Sequence, residues 1–246
     1  MNRFLCILLL LAACGDTGQA SVTYPLYVSG ASATTFDVGG WSISLTRADV
    51  AFGPLYFCAS SGASSDLCPQ AVGELASDVR IDALSDVPIR VGDIAGVTGE
   101  VRSARYDLGI SWPITANAPV ASESAPDGHS AVLEGVATKG SESFQFVATI
   151  DLPPAFAGGH TVAGQRAETF VLGGQTQLTM LVPVEAWLSE IDFDSLSLSA
   201  APSVEIRDGY APLSDGAIDP RRAARDDLAL AIVNLHRIQF EWSTGE

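Results

Sequence analysis

The chain has 246 residues, and its 29 acidic residues against 13 Lys and Arg give a formal net charge of −16 at pH 7. A surface with this charge repels nucleic acid and anionic lipid headgroups, which excludes phosphate-driven binding as a main activity. Apolar residues make up 47% of the chain, which is enough for the packed core of a large β domain. The sequence has no internal repeat and no clear linker, so we predict one domain rather than two.

The first residues predict a bacterial lipoprotein signal. Arg3 supplies the positive start, Phe4–Leu11 form an apolar run, and two alanines then precede Cys14. In such signals the cysteine thiol takes a diacylglyceryl group, the chain is cut before the cysteine, and the new N-terminus is acylated. Three acyl chains give a lasting anchor, because each buried methylene contributes about 0.8 kcal/mol. The alternative is an ordinary secretory signal whose apolar segment happens to end at a cysteine.

These features divide the chain into a signal peptide (residues 1–13), a lipidated tether (14–23) and a single β-sandwich domain (24–246). Beyond the signal, no stretch approaches the roughly 20 apolar residues of a spanning helix. We therefore predict a protein of the bacterial cell envelope that is held at the membrane by its lipid. Asp16 lies one place later than the aspartate that favours inner-membrane retention in enteric bacteria, so we expect the outer membrane.

The remaining cysteines predict a disulfide. After Cys6 leaves with the signal and Cys14 is lipidated, Cys58 and Cys68 form an even pair in an exported chain. They close a short loop rich in Ser, Ala and Gly. The alternative, a two-cysteine metal or redox site, favours a tighter spacing and a nearby histidine.

Short apolar runs separated by turn residues dominate the rest of the chain. Trp41–Leu45 alternate apolar and polar residues with period two, which is typical of a half-buried strand. Lys139-Gly140 separates two well-patterned runs and predicts a hairpin over residues 131–150. Further strands are predicted at residues 50–58, 97–106, 169–172, 177–184 and 236–242.

Two segments predict short helices. The first is residues 185–191, with Trp187 on its apolar side. The second begins at Asp219, whose carboxylate can cap the helix N-terminus, and Pro220 suits its first turn. This helix ends near Leu235, and His236 beside its end suits the helix dipole. Many strands with one or two short helices predict an all-β fold, an antiparallel β-sandwich or an open barrel.

Three segments carry a resemblance to a known family. They are residues 40–46 with 51–57, residues 129–149 with Leu133-Glu134-Gly135, and residues 178–187 with 219–240. On these motifs the chain resembles the MbnP-like family, periplasmic and lipid-anchored copper-binding proteins associated with methanobactin operons. The resemblance implies an antiparallel β-sandwich that binds copper. It also implies a partner, a dihaem peroxidase-like protein that modifies a tryptophan to kynurenine, and Trp112 lies where the family tends to have a tryptophan-bearing loop. The family commonly has a histidine after its second hairpin strand, whereas here Phe146 leads into Val147.

Two histidines predict a metal site. His129 and His160 each lie in a connector flanked by glycine, and two strand-end loops at one end of a sandwich can bring such residues together. Imidazole suits copper or zinc, and Asp127, Glu134 or Asp151 can complete such a site or hold a ring in place. The alternative is that each is an exposed loop histidine without a ligand.

Other candidate sites have a simpler interpretation beside the functional one. Trp112 precedes a loop rich in Pro, Ala and Ser (residues 113–126), so its ring is either an exposed contact for a ligand or partner, or a packed side chain. The acidic residues at 192–194 and at 208, 215 and 219 could supply calcium ligands, but they lack EF-hand spacing. We expect them to form a solvated acidic face.

Three classes of function remain. The leading hypothesis is a non-enzymatic binding protein that takes copper, and its rival is a structural or protein-interaction lipoprotein without metal. A hydrolase is the third. Ser130, His160 and Asp151 can be written as a catalytic set, but no Gly-x-Ser-x-Gly motif occurs, so we do not expect an enzyme.

Overall fold

The computed structural model describes residues 18–60, 68, 71–172, 175–198 and 201–244. The predicted signal peptide and Cys14 lie outside the described residues. Within those ranges, no helix combines the length and apolar composition needed to cross a membrane.

Strands make up most of the described structure. In chain order they are β1 (Ser21–Ser29), β2 (Thr35–Val38), β3 (Trp41–Phe52), β4 (Leu55–Cys58), β5 (Ala71–Leu75), β6 (Val79–Asp82), β7 (Ile89–Val97), β8 (Gly99–Tyr106), β9 (Ile110–Ser111), β10 (Val120–Ala121), β11 (Ala131–Lys139), β12 (Glu142–Ile150), β13 (Val162–Leu172), β14 (Gln175–Leu181), β15 (Ser203–Ile206) and β16 (Gln239–Thr244).

The strands form two large sheets, which confirms the predicted all-β sandwich. The first has the order β13-β8-β4-β5-β7-β1-β14-β16, and the second has the order β15-β12-β11-β3-β2, with β6 also on β3. Both sheets are mixed, because β14 pairs with β1 in parallel and β15 pairs with β12 in parallel. Parallel neighbours need a long crossover connection, which local sequence patterns do not reveal. This is why the sequence indicated only antiparallel pairing.

The predicted alternation in β3 has a direct structural cause. Trp41, Ile43 and Leu45 point into the core and are at most 3% exposed, whereas the serines between them face outward. The run predicted over residues 50–58 is two strands, since Gly53 has a φ of 110° and Pro54 has no N–H to donate to a sheet. The hairpin over residues 131–150 is confirmed as β11 and β12.

The predicted disulfide is also confirmed. Cys58 at the end of β4 is bonded to Cys68, and their Cα atoms are 5.6 Å apart. This bond closes the connection between β4 and β5, which pair antiparallel.

Three α-helices occur in the described chain: α1 (Val184–Leu188), α2 (Phe193–Ser197) and α3 (Pro220–Leu230). The two predicted helices correspond to α1 and α3, and α3 continues as a π turn over Ala231–Leu235. Asp219 caps α3 as expected, accepting the Arg221 N–H at 2.9 Å. The sequence did not predict α2, whose cap is Asp192, the acceptor of the Ser195 N–H at 3.1 Å.

The strand directions define two ends of the first sheet. Ser21 pairs with Val97 at one end, near the start of β8, and we call this the Ala20 end. At the opposite end of the sheet, Tyr106 pairs with Leu55 and with Val162. We call this the Asp107 end, because Asp107 follows β8 directly.

Candidate functional site

His160 lies at the Asp107 end, beside the carboxylate of Asp107. The pairing of Tyr106 with Val162 brings the end of β8 to the start of β13, so residues 107 and 160 meet across that junction. A tight turn precedes His160, in which the Gly159 N–H donates to the Phe156 carbonyl at 3.0 Å.

The Asp107 carboxylate fixes the imidazole of His160. Asp107 is only 2% exposed, and its Oδ1 accepts the Thr161 N–H at 2.8 Å while its Oδ2 lies 3.3 Å from His160 Nδ1. An ionised carboxylate only accepts hydrogen bonds, so Nδ1 carries the proton in this pair. In the neutral ring the Nε2 of His160 then bears a lone pair, and Nε2 has no hydrogen-bond partner among the described residues.

Several carboxylates act on Tyr56, the aromatic neighbour of His160. The Tyr56 ring packs against the His160 ring with centroids 5.3 Å apart. Burial raises the pKa of Tyr56, and the carboxylates of Glu74, Asp107 and Asp78 raise it further. The pKa of Asp78 is raised as well, first by burial and then by the charge of Asp107. Such a concentration of negative charge attracts cations.

His129 has the same arrangement with a different carboxylate. It follows a short 3₁₀ turn over Pro126–Gly128, and its Nδ1 lies 2.8 Å from Asp151 Oδ1. Both side chains are about one-third exposed. They border a groove of about 530 Å³ that also includes Arg207 and Asp208. The Nε2 of His129 likewise has no hydrogen-bond partner in the part of the chain that the structure describes.

The two histidine loops lie at the same end of the sandwich and are linked through the backbone of Leu152. Its N–H donates to Ser130 Oγ at 3.0 Å, and its carbonyl accepts the Thr161 hydroxyl at 2.7 Å. The two imidazoles nevertheless have separate carboxylate partners. Across the described ranges, no group of three or more His, Cys, Asp or Glu side chains is arranged to hold a metal ion. The metal site at His129 and His160 therefore stays a prediction.

His236 differs from the other two histidines. Its Nε2 lies 2.8 Å from Glu190 Oε1, and its carbonyl accepts the Trp187 indole N–H at 2.6 Å. Since its Nε2 is already held, His236 joins the end of the π turn to the segment after α1. This agrees with the structural role expected for it.

Trp112 lies next to the His160 turn. Its indole N–H donates to the Ala116 carbonyl at 3.1 Å, and its own carbonyl accepts the Gly158 N–H at 2.6 Å. The ring is half-buried, so it combines the packed and exposed roles that the sequence left open. Its neighbours Ile114 and Phe156 are 78% and 44% exposed and form an apolar surface there.

The remaining sequence candidates have structural partners. Asp194 accepts the Trp41 indole N–H at 2.8 Å and pairs with Lys139 at 2.6 Å, which favours a structural role over calcium binding. The catalytic set written from Ser130, His160 and Asp151 is not assembled, because Asp151 holds His129 and Ser130 accepts a backbone N–H.

Sequence analysis missed Tyr56 and Asp107. Tyr56 lies within a continuous apolar run, which indicates packing and nothing more. Asp107 is an isolated acid directly after a predicted strand, and this position at a strand end was the one available signal. Comparisons with family models, curated proteins and solved structures found no match, so the resemblance to the MbnP-like family rests on the sequence motifs alone.

Proposed function

We propose that this chain is a lipid-anchored binding protein of the bacterial envelope, attached to the outer membrane through Cys14, that binds copper through His160 and His129. The observation that carries the proposal is the hydrogen bond from each Nδ1 to a carboxylate, at Asp107 and at Asp151. In each pair Nε2 is left as the nitrogen that can take a metal.

This arrangement is the usual one for a metal-binding histidine. Metal-ligating imidazoles donate the second ring N–H to a carboxylate or carbonyl, which fixes the tautomer and raises the basicity of the ligating nitrogen. Imidazole is a good ligand for copper and zinc, and copper is the ion that the resemblance implies. The charges of Asp78 and Glu74 act on Tyr56, which packs against His160, and they favour a cation there over the more exposed His129.

The residues present fit an open site rather than a closed one. Each imidazole offers a single nitrogen, and both oxygens of Asp107 already accept hydrogen bonds. The other ligands would come from water or from a partner protein. Bound copper would supply a redox-active Lewis acid, while the chain itself orients the imidazole and excludes water from one side of it through Tyr56.

Copper titration of the purified protein tests the proposal, with native mass spectrometry reporting stoichiometry for Cu(I) and Cu(II). We expect His160→Ala to lose the more tightly bound copper and His129→Ala to lose the weaker one. His236→Ala is the matched control, because its Nε2 is held by Glu190, and it should bind copper like the parent protein. No copper above background, or an equal loss in all three variants, would contradict the proposal.

A second candidate function is protein interaction without metal, favoured by the exposed side chains of Ile114, Val120 and Phe156. The family resemblance adds a dihaem peroxidase-like partner and a modified Trp112. Peptide mass mapping of Trp112 from cells that express such a partner tests this addition. If Trp112 is unmodified, the peroxidase-like partner is excluded, and protein interaction through the exposed apolar side chains is the part of this candidate function that remains.

A further inference from the structure

We infer that the sandwich stands on the membrane with its Ala20 end toward the bilayer and its Asp107 end, with His160 and Trp112, toward the aqueous compartment. The inference rests on the proposed lipid anchor at Cys14. It assigns one end of the domain to the bilayer and the opposite end to the aqueous compartment.

The attachment point of the tether carries the first step. The Thr98 N–H donates to the Ala20 carbonyl at 2.8 Å, and the Ala20 N–H donates to Thr98 Oγ1 at 3.2 Å. The tether is therefore fixed to the turn between β7 and β8 before β1 begins. From Cys14 to Ala20 the chain takes six residue steps, so it reaches at most about 21 Å even when fully extended.

The strand directions carry the second step. β8 runs away from this attachment point, and it ends at Tyr106, directly before Asp107. A rise of about 3.3 Å per residue places Asp107 about 26 Å from Gly99 along the strand. Because this length exceeds the reach of the tether, a fully inverted domain cannot place its Asp107 end on the bilayer while the acyl chains stay inserted.

The charge of the Asp107 end carries the third step. No Lys or Arg occurs between residues 106 and 138, a segment with four acidic residues. Arg47 pairs with two of them, Asp127 and Glu134, so one positive charge faces four negative ones and the net charge stays negative. Anionic headgroups repel such a surface, although Ile114 and Phe156 are exposed on it. The apolar side chains there thus face the aqueous side.

Energy transfer from the protein to the bilayer tests the orientation. The full chain is expressed in a bacterium with a clickable amino acid replacing Glu100 or, separately, Ala157, labelled with a donor dye. It is reconstituted into phosphatidylethanolamine–phosphatidylglycerol vesicles with an acceptor dye on the headgroups. Ala157, in the turn before His160, is exposed, and the side chain of Glu100 at the start of β8 is 41% exposed. Cys14→Ser is the control without a lipid.

We expect stronger transfer from position 100 than from position 157, and no lipid mass on the N-terminal peptide of Cys14→Ser. Equal transfer, or stronger transfer from position 157, would overturn the orientation while the lipid anchor stands. The mass of the N-terminal peptide reports the anchor separately. An unmodified Cys14 would overturn the anchor and the orientation together, and copper binding by the same protein would be unaffected.

Discussion

Asp107 and His160 share one hydrogen bond, yet the carboxylate side chain is 3% exposed and the imidazole is 18% exposed. The buried partner is held rigidly, because its second oxygen accepts the Thr161 N–H. The exposed partner is thereby fixed in one tautomer and one orientation. A ring positioned in this way can bind a ligand through Nε2 without losing further side-chain freedom.

Asp107→Asn is expected to weaken copper binding at His160 about 10- to 100-fold, the usual effect of removing a partner that orients a ligand. The asparagine keeps an oxygen for Thr161, so folding should survive. The measurement is a competition titration against a chromophoric chelator, made in a His129→Ala background so that one imidazole is followed. Asp37→Asn, at an exposed position on β2, is the matched control. Equal affinities in the two variants would show that Asp107 does not act on the imidazole.

Ser130→Ala is expected to destabilise the domain by about 1–3 kcal/mol, because it leaves the buried Leu152 N–H without an acceptor. Ser130 is fully buried, and its hydroxyl links the loop of His129 to the loop of His160. Urea unfolding measures the change in the free energy of unfolding. Ser141→Ala, in the exposed turn of the β11–β12 hairpin, removes the same hydroxyl from a solvated position and should change stability by less than about 0.5 kcal/mol.

Because of Asp49, the free energy of unfolding is expected to depend on pH in the acidic range. Burial opposes its ionisation, but hydrogen bonds from Arg80 and Arg47 outweigh burial and hold the pKa of Asp49 below 3.8. A lowered pKa in the folded state stabilises the protein above the unfolded value, and this contribution is lost as pH falls through the folded value.

The measurement compares the free energy of unfolding at pH 6 and at several values below pH 4. Asp49→Asn should be less stable than the parent at pH 6, by about 1 kcal/mol for a partly exposed ion pair. The two proteins should converge toward low pH. An identical pH profile in both would mean that Asp49 titrates normally in the fold.

Local patterns account for what the sequence predicted correctly. The β11–β12 hairpin and the cap of α3 at Asp219 depend on residues near one another in the chain, and turn and capping chemistry marks them directly. The parallel pairs and the junction of Asp107 with His160 depend on contacts 53 residues apart or more. Such contacts follow from strand order, which periodicity does not encode. The cap of α2 was visible as Asp192 three residues before Ser195, but its acidic neighbour suggested a solvated face.

The disulfide gives the last prediction. Replacing both Cys58 and Cys68 by alanine should lower the free energy of unfolding by about 2–3 kcal/mol, because a loop of this size loses entropy in the unfolded chain when it is closed. Urea unfolding of the double variant should match that of the parent protein after reduction, since both open the same loop. The single variant Cys68→Ala should match them as well, because a lone Cys58 closes nothing. Equal stability of the oxidised parent and the double variant would contradict a contribution of the bond through the entropy of the unfolded chain.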